Sequence, residues 1–449
     1  MKFLLVSANF CRDPLPVYPL GMGVVAKVLH DAGHEVSQFD PLPYGQDGFQ
    51  KPLEEAFRAF MPDAIGISIR NIDVADSNAA NSHYFDSILK VISACQALGD
   101  CPVSLGGAGF SMNPEAVLAA TGADYGIAGE GESAILDFAN DLQNATLPPK
   151  GTIYRRPGKS ISGARYSIKI AEFYIRETHT IPIQTKRGCP FHCIYCTYPM
   201  LEGHSLRVRD IDQVLGDIAF VKEIFPDAMI YFTDSIFNDP KHHYKSLLQR
   251  MIDLDLAMPW TGFITPYNLT PEDIDVMAES GLACADLGVD GSTDETLRGL
   301  GKNFTFQQVR ECCRRFEELH IGVNANAMFG GPGETWDTVD QGIQNLKELG
   351  SAYVIIFSGI RLLSGAPLFN IARQENAIPE DWDDTTPLYY YAPGIDPNIL
   401  HEKLIQGFSS SKNCVYPPDS RNDDYRLLHK YGYAKIRKLK LGATTRRRK

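Results

Sequence analysis

Residues 184–199 read "QTKRGCPFHCIYCTYP", which sets Cys189, Cys193 and Cys196 at the spacing C-x3-C-x2-C. The preceding "PIQTKRG" has the composition of a short strand, so the three thiols fall in the loop leaving its carboxyl end. Gln184 and Lys186 then belong to the strand beneath that loop. Downstream, strand patterns in "MIYFTD", "PWTGFIT", "CADLGVD", "GVNANAM" and "AYVIIFS" alternate with helical patterns such as "IDQVLGDIAFVKEIF" and "FTFQQVRECCRRFEELH". Six βα repeats predict a partial (β/α)6 TIM-like barrel over residues 181–361, with its chemistry at the strand carboxyl ends.

Toward the amino terminus, "KFLLVSA", "DAIGISI", "CPVSLGGAG" and "ADYGIAG" read as strands. "LGMGVVAKVLHDAGHEV" reads as an amphipathic helix ending at Gly33 and followed by a strand. This alternation predicts an α/β, Rossmann-like (flavodoxin-like) domain over residues 1–135, with a ligand crevice at the carboxyl ends of a parallel sheet. The loops that matter are Ala8–Pro19, Ser68–Asp73, Gly106–Ser111 and Gly129–Glu132. Residues 136–180, with Pro148, Pro149 and Pro157, read as a connector. Residues 362–449 read as an irregular C-terminal capping segment with a basic tail, Lys430–Lys449, that carries nine Lys or Arg and no acid. That tail suits a solvated end or a peripheral contact with an anionic membrane surface.

A chain of 449 residues can hold two or three domains with proper cores. Its formal charge of −12 argues against a nucleic-acid partner. No apolar run reaches the roughly 18 residues of a membrane span, and "MKFLLVSANF" reads as a first strand rather than a signal peptide. The ten cysteines are scattered apart from the one cluster, which favours a reducing, cytoplasmic setting.

Clustered thiolates favour iron–sulfur clusters, zinc or copper(I). Structural zinc normally takes four protein ligands, and beyond His192 and His204 nothing nearby offers a fourth. Three thiolates suit a 4Fe–4S cluster with one iron left open to a small molecule. Placed after the first strand of a six-repeat α/β unit, Cys189, Cys193 and Cys196 resemble the cluster motif of the radical S-adenosylmethionine (SAM) enzymes. The resemblance implies that SAM chelates the open iron and is cleaved to methionine and a 5′-deoxyadenosyl radical. It continues in Tyr195, a neighbour of the adenine, and in "YFTDSIF", whose Thr233 and Asp234 would face the SAM amino group. "LGVDGSTDETLRGLGK" would bring Asp290 to the ribose, where family members more often read Gly-Ile-Glu-Ser. "MFGGPGET" would bring Gly330 and Gly331 to the adenine and methionine, although alone it reads as a tight turn and a helix start.

Residues 1–135 resemble the cobalamin-binding domain of the class B radical SAM enzymes, through "YPLGMGVVAKVLHDAGHEV", "PDAIGIS", "SLGGAGFSMNPE" and "DYGIAGEGE". This implies cobalamin contacts at Ser68, Arg70, Gly106, Gly107, Gly129 and Glu130. An Asp-x-His-x-x-Gly motif is absent, so no histidine of that motif fills the lower axial position. The implied enzyme methylates an unactivated carbon of a small-molecule or lipid substrate, using methylcobalamin, SAM and an external electron donor of the flavodoxin or ferredoxin type. "QTKRGCPFHCIYCTYP" with "ISIRNID" resembles members associated with lipid biosynthesis. Tyr389–Tyr391 would cap a substrate held between the amino-terminal domain and the barrel mouth. The same architecture also serves cyclisation and ring rearrangement. Readings from other classes are a tRNA methylthiotransferase and a non-enzymatic cobalamin or cluster sensor.

Overall fold

The computed structural model describes residues 1–72, 76–77, 84–380, 382 and 386–429. The first sheet comprises β1 (Lys2–Ser7), β2 (Glu35–Phe39), β3 (Ala64–Ser68), β4 (Val103–Gly106), β5 (Tyr125–Ala128) and β6 (Thr152–Arg155). Its order is β2-β1-β3-β4-β5-β6, with every pair parallel. The first five strands follow the flavodoxin-like order, in which the direction of winding reverses between β1 and β3 and leaves a crevice there. Leu4, Val6, Ile65 and Ile67 pack on one face of the sheet, and Phe3 and Leu5 on the other. Such double burial is why these strands read as continuous apolar runs.

The expected connector is structured at both ends. β6 lies within residues 136–180, paired to β5 through Ile127 and Tyr154, and the Tyr154 hydroxyl donates to Asp141 at 2.9 Å. A helix, Ile168–Thr178, follows and buries Phe173 and Tyr174 in the core that joins the two units. β6 is only four residues long and carries two prolines just before it, so the sequence pattern there is dominated by its flanks.

The second sheet runs through β7 (Thr180–Ile183), β10 (Met229–Phe232), β11 (Trp260–Ile264), β12 (Leu282–Asp290), β13 (Gly322–Phe329), β14 (Tyr353–Ser358) and β17 (Cys414–Val415). All seven are parallel, in the order β17-β14-β13-β12-β11-β10-β7. Two short antiparallel pairs lie outside it, β8 (Lys186–Arg187) with β9 (Arg207–Val208) and β15 (Ile360–Arg361) with β16 (Tyr389–Tyr390). Four of its helices start at capping boxes on Thr270, Thr293, Thr305 and Thr335. Each cap stabilises its helix by about 1 kcal/mol. The partial barrel is therefore present with a seventh, two-residue strand that the sequence did not announce.

The C-terminal segment is less irregular than expected, containing helices Pro367–Gln374, Pro397–Phe408 and Asn422–Leu427. The last of these closes the open side of the barrel near its amino-terminal end. Tyr425 stacks beside Tyr353 and its hydroxyl accepts from Asn324 Nδ2 at 3.0 Å. His429, on the next turn, lies against the backbone of Thr178 just before β7, and burial lowers its pKa to about 4. At the mouth, Tyr389 donates to the carbonyl of Asp76, and Tyr391 lies 3.3 Å from Ser77 Oγ. The tyrosines thus tie the amino-terminal domain to the barrel. The basic tail, residues 430–449, lies outside the described residues.

Candidate functional site

The cysteine loop is hung between three parts of the barrel. Cys189 N–H donates to Gly203 O at 3.1 Å, Ile194 N–H to Leu300 O at 3.1 Å, and Leu368 N–H to Ile194 O at 2.8 Å. Gly188 has φ +93°, and a Cβ there would run into the carbonyl of Ser205. All three thiols are half-buried and free. Burial pushes the Cys189 thiol up and that of Cys196 to about 12, and neighbouring thiols of the loop push the same way. The N–H groups of Phe191 and Tyr198 and the ammonium of Lys302 oppose this. Thiols crowded and desolvated in this way become thiolates together only when metal charge holds them. Among the described residues no three His, Cys, Asp or Glu side chains converge as they would round one metal ion, the arrangement a zinc site needs. The donor set fits an iron–sulfur cluster held by Cys189, Cys193 and Cys196.

Beside the loop, the Tyr195 hydroxyl donates to Asp290 Oδ2 at 2.8 Å, and Lys302 forms an ion pair with the same oxygen. Lys302 sits 5.6 Å over the Tyr195 ring. Asp290 adopts φ +62° at the end of β12, a left-handed conformation uncommon for a residue with a side chain. Thr233, just after β10, keeps its Oγ1 buried without a hydrogen-bond partner. Tyr195 and Asp290 are thus joined to each other and to Lys302 beside the cysteine loop, while Thr233 keeps a buried hydroxyl unpaired.

Three of the other expected SAM contacts are committed elsewhere. Asp234 is fully buried and accepts from the backbone N–H groups of Thr185 and Lys186 and from the Thr185 hydroxyl. It anchors the strand that leads into the cysteine loop. Gly330 donates its N–H to Glu334 and accepts from Ala392 N–H, while Gly331 accepts from Glu334 N–H. A Cβ on Gly331 would meet Ile360 at 2.6 Å, so close packing explains that glycine.

At the carboxyl ends of the first sheet lies a cavity of about 270 Å3. Ser68, Gly106, Gly107, Gly129 and Glu130 line it from the amino-terminal domain, and Gln184, Arg187, Tyr198, Leu201 and Glu202 from the barrel. A Cβ on Gly106 would make an ordinary contact 3.5 Å from Ile127 O, and one on Gly129, itself at φ +80°, would point into open space. These two glycines form a cradle that larger side chains would fill, which fits a flat ring system such as a corrin. Gly107 is different: at φ +97° its Cβ would strike the carbonyl of Ile69, so backbone packing requires glycine there. Arg70 does not line the cavity. It reaches toward Tyr198 and Tyr231 in the barrel, and its Nη1 is buried without a partner. Glu130 borders the cavity, yet its carboxylate is held by Arg187 at 2.8 Å and by Arg207. Arg187 also pairs with Glu132 at 2.7 Å. The sequence carried no local sign of this ion cluster, because its members lie far apart in the chain.

Within the barrel, alternate residues of each strand face the lumen: Tyr231 and Thr233, Thr261 and Phe263, Asp286 and Gly288, Asn324 and Asn326. Burial raises the pKa of Asp286 to about 6 despite hydrogen bonds from Asn324, Thr261 and Tyr231. Neither Asp286 nor Lys302 was singled out from the sequence.

The structure sets a cavity at the end of a parallel sheet beside a three-cysteine loop on a partial barrel. Residues 12–139 match the B12 binding domain, and residues 183–364 match the radical SAM superfamily. The cofactors of these domains are cobalamin, a 4Fe–4S cluster and SAM. The chain is 24% identical over 439 residues to tryptophan 2-C-methyltransferase of Streptomyces laurentii, covering 80% of this chain and 72% of that one. It is 21% identical to cytidylyl-2-hydroxyethylphosphonate methyltransferase of Streptomyces wedmorensis, over 85% and 83% of the two chains. The methyltransferase TsrM of Kitasatospora setae, solved with cobalamin and a 4Fe–4S cluster bound, superposes with a TM-score of 0.81 at 22% identity over 99% of both chains. The chain thus carries both domains and is similar along most of its length to cobalamin-dependent radical SAM methyltransferases. Among the described residues no helix is long and apolar enough to cross a membrane.

Proposed function

We propose that the chain methylates a carbon atom of a small polar molecule held between the amino-terminal domain and the barrel mouth. The observation that carries this is the shared cavity, whose barrel side is formed by Gln184, Arg187 and Glu202 around the cysteine loop. A cofactor seated there abuts the loop that would hold the second. When bound, the cluster with SAM supplies the radical initiator and cobalamin supplies the methyl group. The chain's own residues orient and shield. Asp234 fixes the strand before Cys189, Leu300 and Gly203 suspend the loop, and Arg187 keeps the two cofactor loops in register. Tyr195, Thr233 and Asp290 bound the space for SAM.

Reduction would come from an external flavodoxin- or ferredoxin-type donor, and the scattered free cysteines suit work in the cytoplasm. A lipid substrate, with peripheral membrane contact through the basic tail, is not part of this reading, because the lumen wall carries Asp286, Asn324 and Asn326. The test uses protein reconstituted with iron, sulfide and cobalamin, a chemical reductant, methyl-labelled SAM and a deproteinised extract of the source cells. Label should pass first to cobalamin and then to a small product. If cobalamin gains no label, the methyltransferase reading fails.

A further inference from the structure

The barrel lumen has a polar floor that the cofactors do not require. Asn324 Nδ2 donates to Asp286 Oδ1 at 3.1 Å, Thr261 Oγ1 donates to Oδ2 at 3.4 Å, and the Tyr231 hydroxyl adds a third bond. Among the described residues no Lys, Arg or His pairs with this carboxylate. A partly buried carboxylate served only by neutral donors lacks the counter-charge that would offset its desolvation. Two residues up from Asn324, Asn326 is exposed to the lumen between buried Ala325 and Ala327, and no hydrogen bond holds its amide. Apolar side chains normally fill a parallel barrel. Asp286 lies four residues below Asp290 on the same strand, about 13 Å at the usual rise. A small molecule reaching Asp286 from the mouth would therefore span about that length of strand.

We propose that this floor anchors the inner end of a substrate that reaches into the lumen from the barrel mouth, with Asp286 taking a protonated amine or another N–H-donating nitrogen and Asn326 a polar group beside it. The site deepens the methyltransferase reading and rests on it only in calling the ligand a substrate. The competing role for Asp286 is structural: it holds Asn324, which also donates to Tyr425 of the helix that closes the barrel.

Ligand-observed NMR on the reconstituted holoenzyme at neutral pH separates the two, with benzylamine, benzyl alcohol and benzoate as probes. Benzylamine should bind roughly tenfold or more tighter than benzyl alcohol, the worth of a charge-assisted hydrogen bond, and benzoate should not bind. Asp286→Asn should abolish the preference for the amine without lowering the melting temperature at neutral pH. The proposal is overturned if amine and alcohol bind alike to the unaltered protein, or if the preference survives in Asp286→Asn. It is also overturned if Asp286→Asn and Asn324→Ala lower the melting temperature equally while both keep the preference. Label transfer from SAM to cobalamin, followed on the same samples, does not pass through the lumen. Its loss would remove the methyltransferase reading and leave the amine result standing.

Discussion

Arg187 Nη1 lies 2.8 Å from Glu130 Oε2, and this pair joins the loop entering Cys189 to the loop bordering the cavity at the first sheet. Both side chains are about nine-tenths buried, so water screens the contact little. Arg187 reaches a second carboxylate, Glu132, while Arg207 shares Glu130. Arg187→Met leaves Glu132 buried without its cation and should lower stability by about 3 kcal/mol. Adding Glu132→Gln should restore part of the loss. Urea midpoints measure both, and an unshifted midpoint in the single variant would show the cluster to be energetically idle.

The three cysteines should behave as one unit. Cys189→Ala, Cys193→Ala and Cys196→Ala should each lose the cluster's iron and sulfide and its electron paramagnetic resonance signal, together with SAM cleavage. Cobalamin content should stay unchanged, because the cavity lining includes none of the three. SAM cleavage at the unaltered rate in any one variant would refute the ligand assignment.

Adjacent glycines should respond in opposite ways. Gly106→Leu pushes a side chain into the cradle and should reduce cobalamin loading more than it reduces stability. Gly107→Ala forces a left-handed conformation and a collision with Ile69 O, so it should cost about 2 kcal/mol or more of stability. Cobalamin stoichiometry and melting temperature, measured on both variants, separate the effects. Equal loss of loading at equal stability would refute the distinction.

Asp286 makes stability depend on pH in a direction opposite to most carboxylates. Its folded pKa, raised to about 6 by burial, exceeds its ordinary value of 3.8. Between these values the folded chain binds more protons than the unfolded one, so stability falls as pH rises from about 4 to about 6. The loss approaches 3 kcal/mol for a shift of roughly two units. Asp40, raised to about 6 mainly by burial, contributes a parallel fall. Asp286→Asn should remove its own share and leave that of Asp40. Denaturant midpoints at pH 4.5 and 7.5 test this; the same drop in both proteins would sink it.

Most strands and the cysteine loop were legible because their signals are local: apolar runs bounded by turns, and three thiols in one loop. β6 was not, because four residues between prolines and arginines carry almost no pattern. Asp234, Gly330, Gly331 and Glu130 were expected at the cofactors because the motifs that carry them resemble those of radical SAM and cobalamin-binding domains. The structure spends Asp234 on backbone amides, Glu130 on arginines, and the glycines on internal hydrogen bonds and packing. A carboxylate's partner cannot be inferred from its neighbours in sequence when that partner lies 57 residues away, as Arg187 does from Glu130. Tyr425 meets Asn324 across 101 residues, and the closing helix was invisible for the same reason.

That helix also fixes an order of assembly. Every strand from β7 to β14 can be made while the side of the barrel between its two edges still stands open. Only when residues 422–429 leave the ribosome can Tyr425 and His429 seal it. The lumen gains its last wall only after residues 422–429 have joined it, long after the cysteine loop has been laid down.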